Sequence, residues 1–250
     1  MRKLSIAIAG AAALLAGCVQ TRQYADTQFA VPSGDYKLLV MRPDVSVGSV
    51  TTGGLTEPRA DWTAAARGNL LAALRAQQAG RGGNLLVLDR RDSLPGVTAE
   101  TIAELERLHG AVGNSIALHK YLGENLPTKR GKGLDWTLGA GAVALGQRTG
   151  MDYALFLYAE DSFASTGRVA LQVLGVAGCF VGFCAPTAGG GQFAYASLVD
   201  LRTGQVVWFN VLQSRIGDIR TAEGAAVMVE RLVGRMKPGR EVRRALKAGT

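Results

Sequence analysis

Side chains that bind metals or attack substrates are scarce in this chain, which has two histidines and three cysteines in 250 residues. No CxxC, HExxH, HxH or GxSxG pattern occurs, so the spacings that build a zinc site or a nucleophile elbow are missing. His109 and His119 share one helical stripe about 15 Å apart at 1.5 Å per residue, too far to hold one ion. They read as packing or capping residues, and no metal or cofactor is expected. Long apolar runs are missing too, since none reaches the about 20 residues of a spanning helix. No repeat with a period of 20–50 residues is visible.

What is present begins at the N-terminus. Arg2 and Lys3 precede an apolar run from Leu4 to Gly17, broken only by Ser5, with the length of a secretory leader core. The run ends in Leu15-Ala16-Gly17-Cys18. This ending resembles a lipobox, the bacterial lipoprotein processing signal. The resemblance implies cleavage between Gly17 and Cys18 and acylation of Cys18. Because Val19 follows rather than Asp, it also implies lipid anchoring at the periplasmic face of the outer membrane. Each buried methylene contributes roughly 0.8 kcal/mol, so two or three chains hold firmly. The bilayer, reached through acylated Cys18, is the first expected partner. After the leader 1–17, residues 18–34 read as a lipidated tether spanning roughly 20–24 Å if flexible.

The formal charge is +8. Loss of Arg2 and Lys3 with the leader lowers it to +6, a balance that suits anionic lipid headgroups or a cell-wall polymer. Nucleic acid is not an expected partner in that compartment. Cys179 and Cys184 either pair or stay as buried thiols, and an oxidising environment permits both.

Along the mature chain, residues 36–41 and 85–88 read as buried strands. A helix is expected over 58–79, with Pro58 in its first turn and Gly80 beyond its end. A longer one covers about 99–123, weakened at Gly110 and Gly113. Residues 127–133 form a basic linker, and 134–148 a small-residue helix closed by Gly150. Tyr153–Tyr158 is a strand. Phe193–Leu201 and Gln205–Val211 flank Arg202-Thr203-Gly204 as a hairpin. The last amphipathic helix runs over about 221–236. Residues 35–237 form one domain, with 238–250 as a basic C-terminal tail.

Gly150-Met151-Asp152-Tyr153-Ala154-Leu155-Phe156, followed by Ala196–Trp208 with Val199-Asp200-Leu201-Arg202-Thr203-Gly204-Gln205-Val206-Val207-Trp208, resembles a pattern of one protein group. It is found in the periplasmic α/β domain of CsgG-like and PelC-like outer-membrane lipoproteins and of the penicillin-binding-protein activator LpoB. The resemblance covers about residues 150–236. It implies a single α/β domain with a mixed β-sheet flanked by helices, of CsgG-like, anticodon-binding-like type. It does not extend to a pore, because no pair of alternating hairpins of about 9–11 residues per strand is present.

Several local features invite chemistry. Gly139-Ala140-Gly141-Ala142-Val143-Ala144 matches GxGxxA, but residues 133–138 do not read as a strand entering a βα turn. Close helix packing is the expectation. Glu160 and Asp161 supply an acid and a base in principle, yet neighbours on a strand point to opposite faces, so a solvated strand end is expected. Sixteen of the seventeen residues in Val169–Ala185 are apolar or glycine. This stretch reads first as a buried element. Its alternatives are an oligomer interface through Val169, Leu171, Val173, Leu174, Val176, Phe180, Val181 and Phe183, or insertion into lipid. Arg240, Arg243, Arg244 and Lys247 form a solvated tail or, if helical, a cationic stripe for an anionic surface.

No catalytic residue is expected. The sequence points to a non-enzymatic assembly or scaffold subunit of a cell-envelope or secretion complex, as a homo-oligomer or within an envelope protein complex. The alternatives are a peptidoglycan-associated regulator of a cell-wall synthase and an envelope polymer hydrolase.

Overall fold

Unbroken burial along Ala154-Leu155-Phe156-Leu157, whose side chains enter the two cores in turn, makes Tyr153–Ala164 (β6) the axis of the molecule. The computed structural model describes residues 19–79, 84–92, 94–123, 126–178, 189–214 and 217–248. Beside β6 run Gly190–Asp200 (β7) and Val206–Ser214 (β8), both antiparallel to their neighbours. The expected hairpin forms, and Gly204 supplies its positive φ of 73°. Asp200 closes the turn by accepting the Arg202 amide and, on both carboxylate oxygens, the Arg202 guanidinium.

The opposite side of β6 is parallel. Lys37–Val40 (β2) pairs with its first half and Asp44–Val50 (β3) with its second. The break at Met41-Arg42-Pro43 suits a proline that cannot donate to a ladder. Thr56–Pro58 (β4) adds to β3, and Asn84–Val87 (β5) adds to β2. Val19–Ala25 (β1) pairs with β8, giving the order β1-β8-β7-β6-β2-β5 in an eight-stranded mixed sheet.

Helices cover both faces. Ala60–Ala79 (α1) and, near the C-terminus, Ala222–Val229 (α5) with its π turn Glu230–Gly234 lie on one face. There Leu70, Leu74, Met228 and Leu232 meet Val40, Leu157 and Trp208. Ala99–Ile116 (α2), its π turn Ala117–Tyr121 and Gly139–Thr149 (α3) cover the other face. There Ile102, Leu105 and Leu145 meet Leu39, Phe156 and Phe209. Each such large side chain stabilises by roughly 1.5–3 kcal/mol when fully buried. Thr98 and Thr221 cap α2 and α5 by accepting amides three residues on, as expected at these starts.

Five expectations change. Residues 19–25, expected within the tether, form β1, because the open edge of β8 offers unpaired backbone groups that a strand satisfies. Residues 44–50, for which no element is expected, form β3, because the alternation Asp-Val-Ser-Val buries Val45 and Val47. Pro58 closes β4 on the sheet edge, and α1 starts two residues later. Residues 134–138 are not helical: Thr137 bridges to Gln205, and α3 starts only at Gly139. The expected tail contains Gly239–Ala248 (α6), held by the Gly239 amide donating to the Phe29 carbonyl and by buried Val242.

Candidate functional site

One row of paired residues crosses the sheet near one end, in the order Val19, Ser214, Gln192, Asp161 and Val47. Beyond it lie the β3–β4 turn, the end of β6 and the segment entering α5. Thr166–Gly178 (α4) leaves β6 at this end.

Asp161 sits in that row on the face covered by α1 and α5, and it is buried rather than solvated. Gln192 Nε2 donates to its carboxylate at 2.8 Å. Burial pushes the carboxyl up to about 7, against the pull of Gln192 and the Ile219 and Ser162 amides; Asp218 adds to the rise. Glu160 points to the other face, exposed, and accepts from the Tyr158 hydroxyl at 3.2 Å. The two carboxylates are thus separated by the sheet. The expectation of opposite faces holds, while that of a solvated end fails for Asp161.

Above Asp161 is a cation–aromatic stack. Arg220 grips Asp218 through two bonds of 2.8 and 2.7 Å. Its guanidinium carbon lies 3.7 Å from the Phe163 ring centre and 4.4 Å from that of Trp62. Arg59 meets the same indole at 4.5 Å. A cavity of about 350 Å³ adjoins, lined by Asp161, Ser162, Phe163, Gln172, Gln192 and Gly217 among others. These residues fix a loop end to the sheet, and no nucleophile with a partnered base stands among them.

The remaining candidates separate. His109 is enclosed, stacked on Phe156 with ring centres 4.4 Å apart and hydrogen-bonded to Ser197 Oγ. Burial pushes it down to about 3, which leaves it neutral. His119 accepts the Leu126 amide at Nδ1, 2.9 Å away. Gly141 of the GxGxxA run lies against Leu105 of α2, where a Cβ would be 3.3 Å from its methyl. Among the described residues, no three of His, Cys, Asp and Glu gather as a metal site requires.

Sequence reasoning expected 169–185 to be buried first of all, and in α4 it is not. Val169, Leu171, Val173 and Leu174 are 45, 40, 63 and 67% exposed. Leu55, in the β3–β4 turn at the same end, is 76% exposed. Arg168 ties α4 to that turn by donating to the Thr52 carbonyl at 3.1 Å. Elsewhere Leu108, Leu118, Leu122 and Leu126 are exposed on and after α2. Arg240 and Arg244 are exposed on α6. Gly17, Cys18, Cys179, Phe180, Val181, Phe183 and Cys184 lie outside the described residues, as do the side chains of Val176, Arg243 and Lys247.

No protein-family model matches the chain, and no curated protein matches it either. Among solved structures it is similar to the PelC dodecamer from Paraburkholderia phytofirmans in space group P6, at 12% identity and TM-score 0.36, over 87% of this chain and 99% of that one. A leucine-to-methionine variant of that dodecamer in space group C2 gives 13% identity and TM-score 0.35 over the same shares. Likenesses of this size assign no activity to the chain.

Proposed function

We propose that this protein is an outer-membrane lipoprotein facing the periplasm, lipidated at Cys18, and a non-enzymatic assembly subunit of a cell-envelope or secretion complex. The observation that carries this reading is the register of β1. Val19 already belongs to the sheet, so the cysteine of the lipobox-like sequence adjoins a rigid body with no flexible leash between them. A folded domain held that closely presents its side surfaces to neighbours in the plane of the membrane.

The apolar side chains exposed on α2, on its π turn and just after it, Leu108, Leu118 and Leu122, supply a surface that suits contact with another subunit. The protein therefore acts as a homo-oligomer or within a larger envelope assembly. Size-exclusion with light scattering on detergent-solubilised protein tests this. Oligomers are expected, and a strict monomer at micromolar concentration removes the assembly claim.

A second reading, a peptidoglycan-associated regulator, is favoured by the basic balance of the chain and by the exposed Arg240 and Arg244 on α6. Retention on purified sacculi that salt abolishes would support it.

A further inference from the structure

We infer that α4 lies in the interfacial plane of the same bilayer that Cys18 enters, as a second, non-covalent membrane contact. This inference rests on the lipoprotein reading above. Its own evidence is the row Val19–Ser214–Gln192–Asp161–Val47, which puts the start of β1 and the departure of α4 at one end of the sheet. Ala164, the last residue of β6, is three residues beyond the row, about 10 Å at the rise of a strand. β1 and β6 are separated laterally by about three strand spacings, roughly 14 Å. Acyl chains on the residue before Val19 therefore draw this end, and α4 with it, against the headgroups.

The chemistry of α4 fits that position. Val169, Leu171, Val173 and Leu174 are exposed, and Leu55 adds to the same end. The helix contains no acidic residue and one basic residue, Arg168. At thirteen residues it is about 20 Å long, short of the roughly 30 Å hydrocarbon core, and no described helix is long and apolar enough to cross a membrane. A short apolar helix with a basic flank lies along the interface rather than through it. The neighbouring acids Asp61 and Asp218 are engaged by Arg59 and Arg220. Glu57 in β4, Glu160 in β6 and Glu223 in the first turn of α5 are exposed acids near this end and oppose this contact.

The test uses full-length, host-processed Leu174→Trp protein in phosphatidylethanolamine–phosphatidylglycerol vesicles carrying acyl-brominated lipid, with Leu118→Trp as the remote control. Vesicle flotation and intact mass are measured on the same samples. The expected result is loss of most of the added emission at 174, with the emission at 118 retained. Emission at 174 that resists bromolipid but yields to acrylamide, on protein that floats and carries acyl chains, overturns the inference and leaves the anchor standing. Emission shielded from both places a second copy on α4 and also overturns it. Protein that neither floats nor carries acyl chains overturns the anchor reading itself.

Discussion

Asp161 and Gln192 face each other across β6 and β7, and the amide of Gln192 donates to a carboxylate that burial holds near neutral pKa. His109, on the other face, is pushed the opposite way by the same cause. These two groups set the pH response of the fold in opposing directions.

Asp161 binds its proton more tightly when folded, so its contribution is complete below about pH 4 and is lost as pH rises through about 7. His109 binds its proton less tightly when folded, so stability falls as pH drops below about 6.5. Between about pH 4 and 6.5 the two slopes cancel. The Asp161→Asn variant is expected to gain stability at pH 8. It should show the uncovered histidine slope, up to about 1.4 kcal/mol per pH unit, over the acid window. Urea titrations from pH 4 to 8 measure both; a variant parallel to the parent throughout contradicts this account.

Two glycines of α2 should respond with opposite signs. A Cβ at Gly113 would enter the space of the Tyr195 ring, whereas one at Gly110 would meet nothing within 4 Å. Gly113→Ala should destabilise by about 1–3 kcal/mol through overpacking. Gly110→Ala should stabilise by up to about 1 kcal/mol, as removal of a helical glycine does. Thermal and urea unfolding of both variants check the pair.

Gln23 binds β1 to the domain. Its carbonyl accepts from Trp208 Nε1 at 3.3 Å and the Lys237 amide at 3.2 Å, and its amide donates to the Arg235 carbonyl at 2.8 Å. Gln23→Ala should cost about 1 kcal/mol, since the buried Trp208 indole loses its acceptor while the Arg235 and Lys237 backbone groups turn to water. Hydrogen exchange should show slow amides within 19–25 in the parent and faster ones in the variant. Free exchange across 19–25 in the parent would restore the tether.

Much of this architecture is readable from periodicity, and the failures have local causes. The β7–β8 hairpin was legible because Arg202-Thr203-Gly204 breaks two apolar runs with a residue that tolerates positive φ. β1 was not, since Gln20, Thr21, Arg22 and Gln23 suggest a solvated chain; its pairing depends on an edge supplied by residues nearly two hundred positions away. The sequence of β6 reads as a strand only to Tyr158, because Glu160-Asp161-Ser162 is polar. The strand continues, and Ile219 and Arg220 cover its α5 side, which is what buries Asp161. In α4 the apolar composition was plain, but composition alone does not tell a core helix from a surface one.

The most direct test is the intact mass of the mature protein from its own host. The account predicts a chain that begins at Cys18 and carries the added mass of two or three acyl groups. A chain with an unmodified thiol there, with the leader retained or removed at another position, would contradict it.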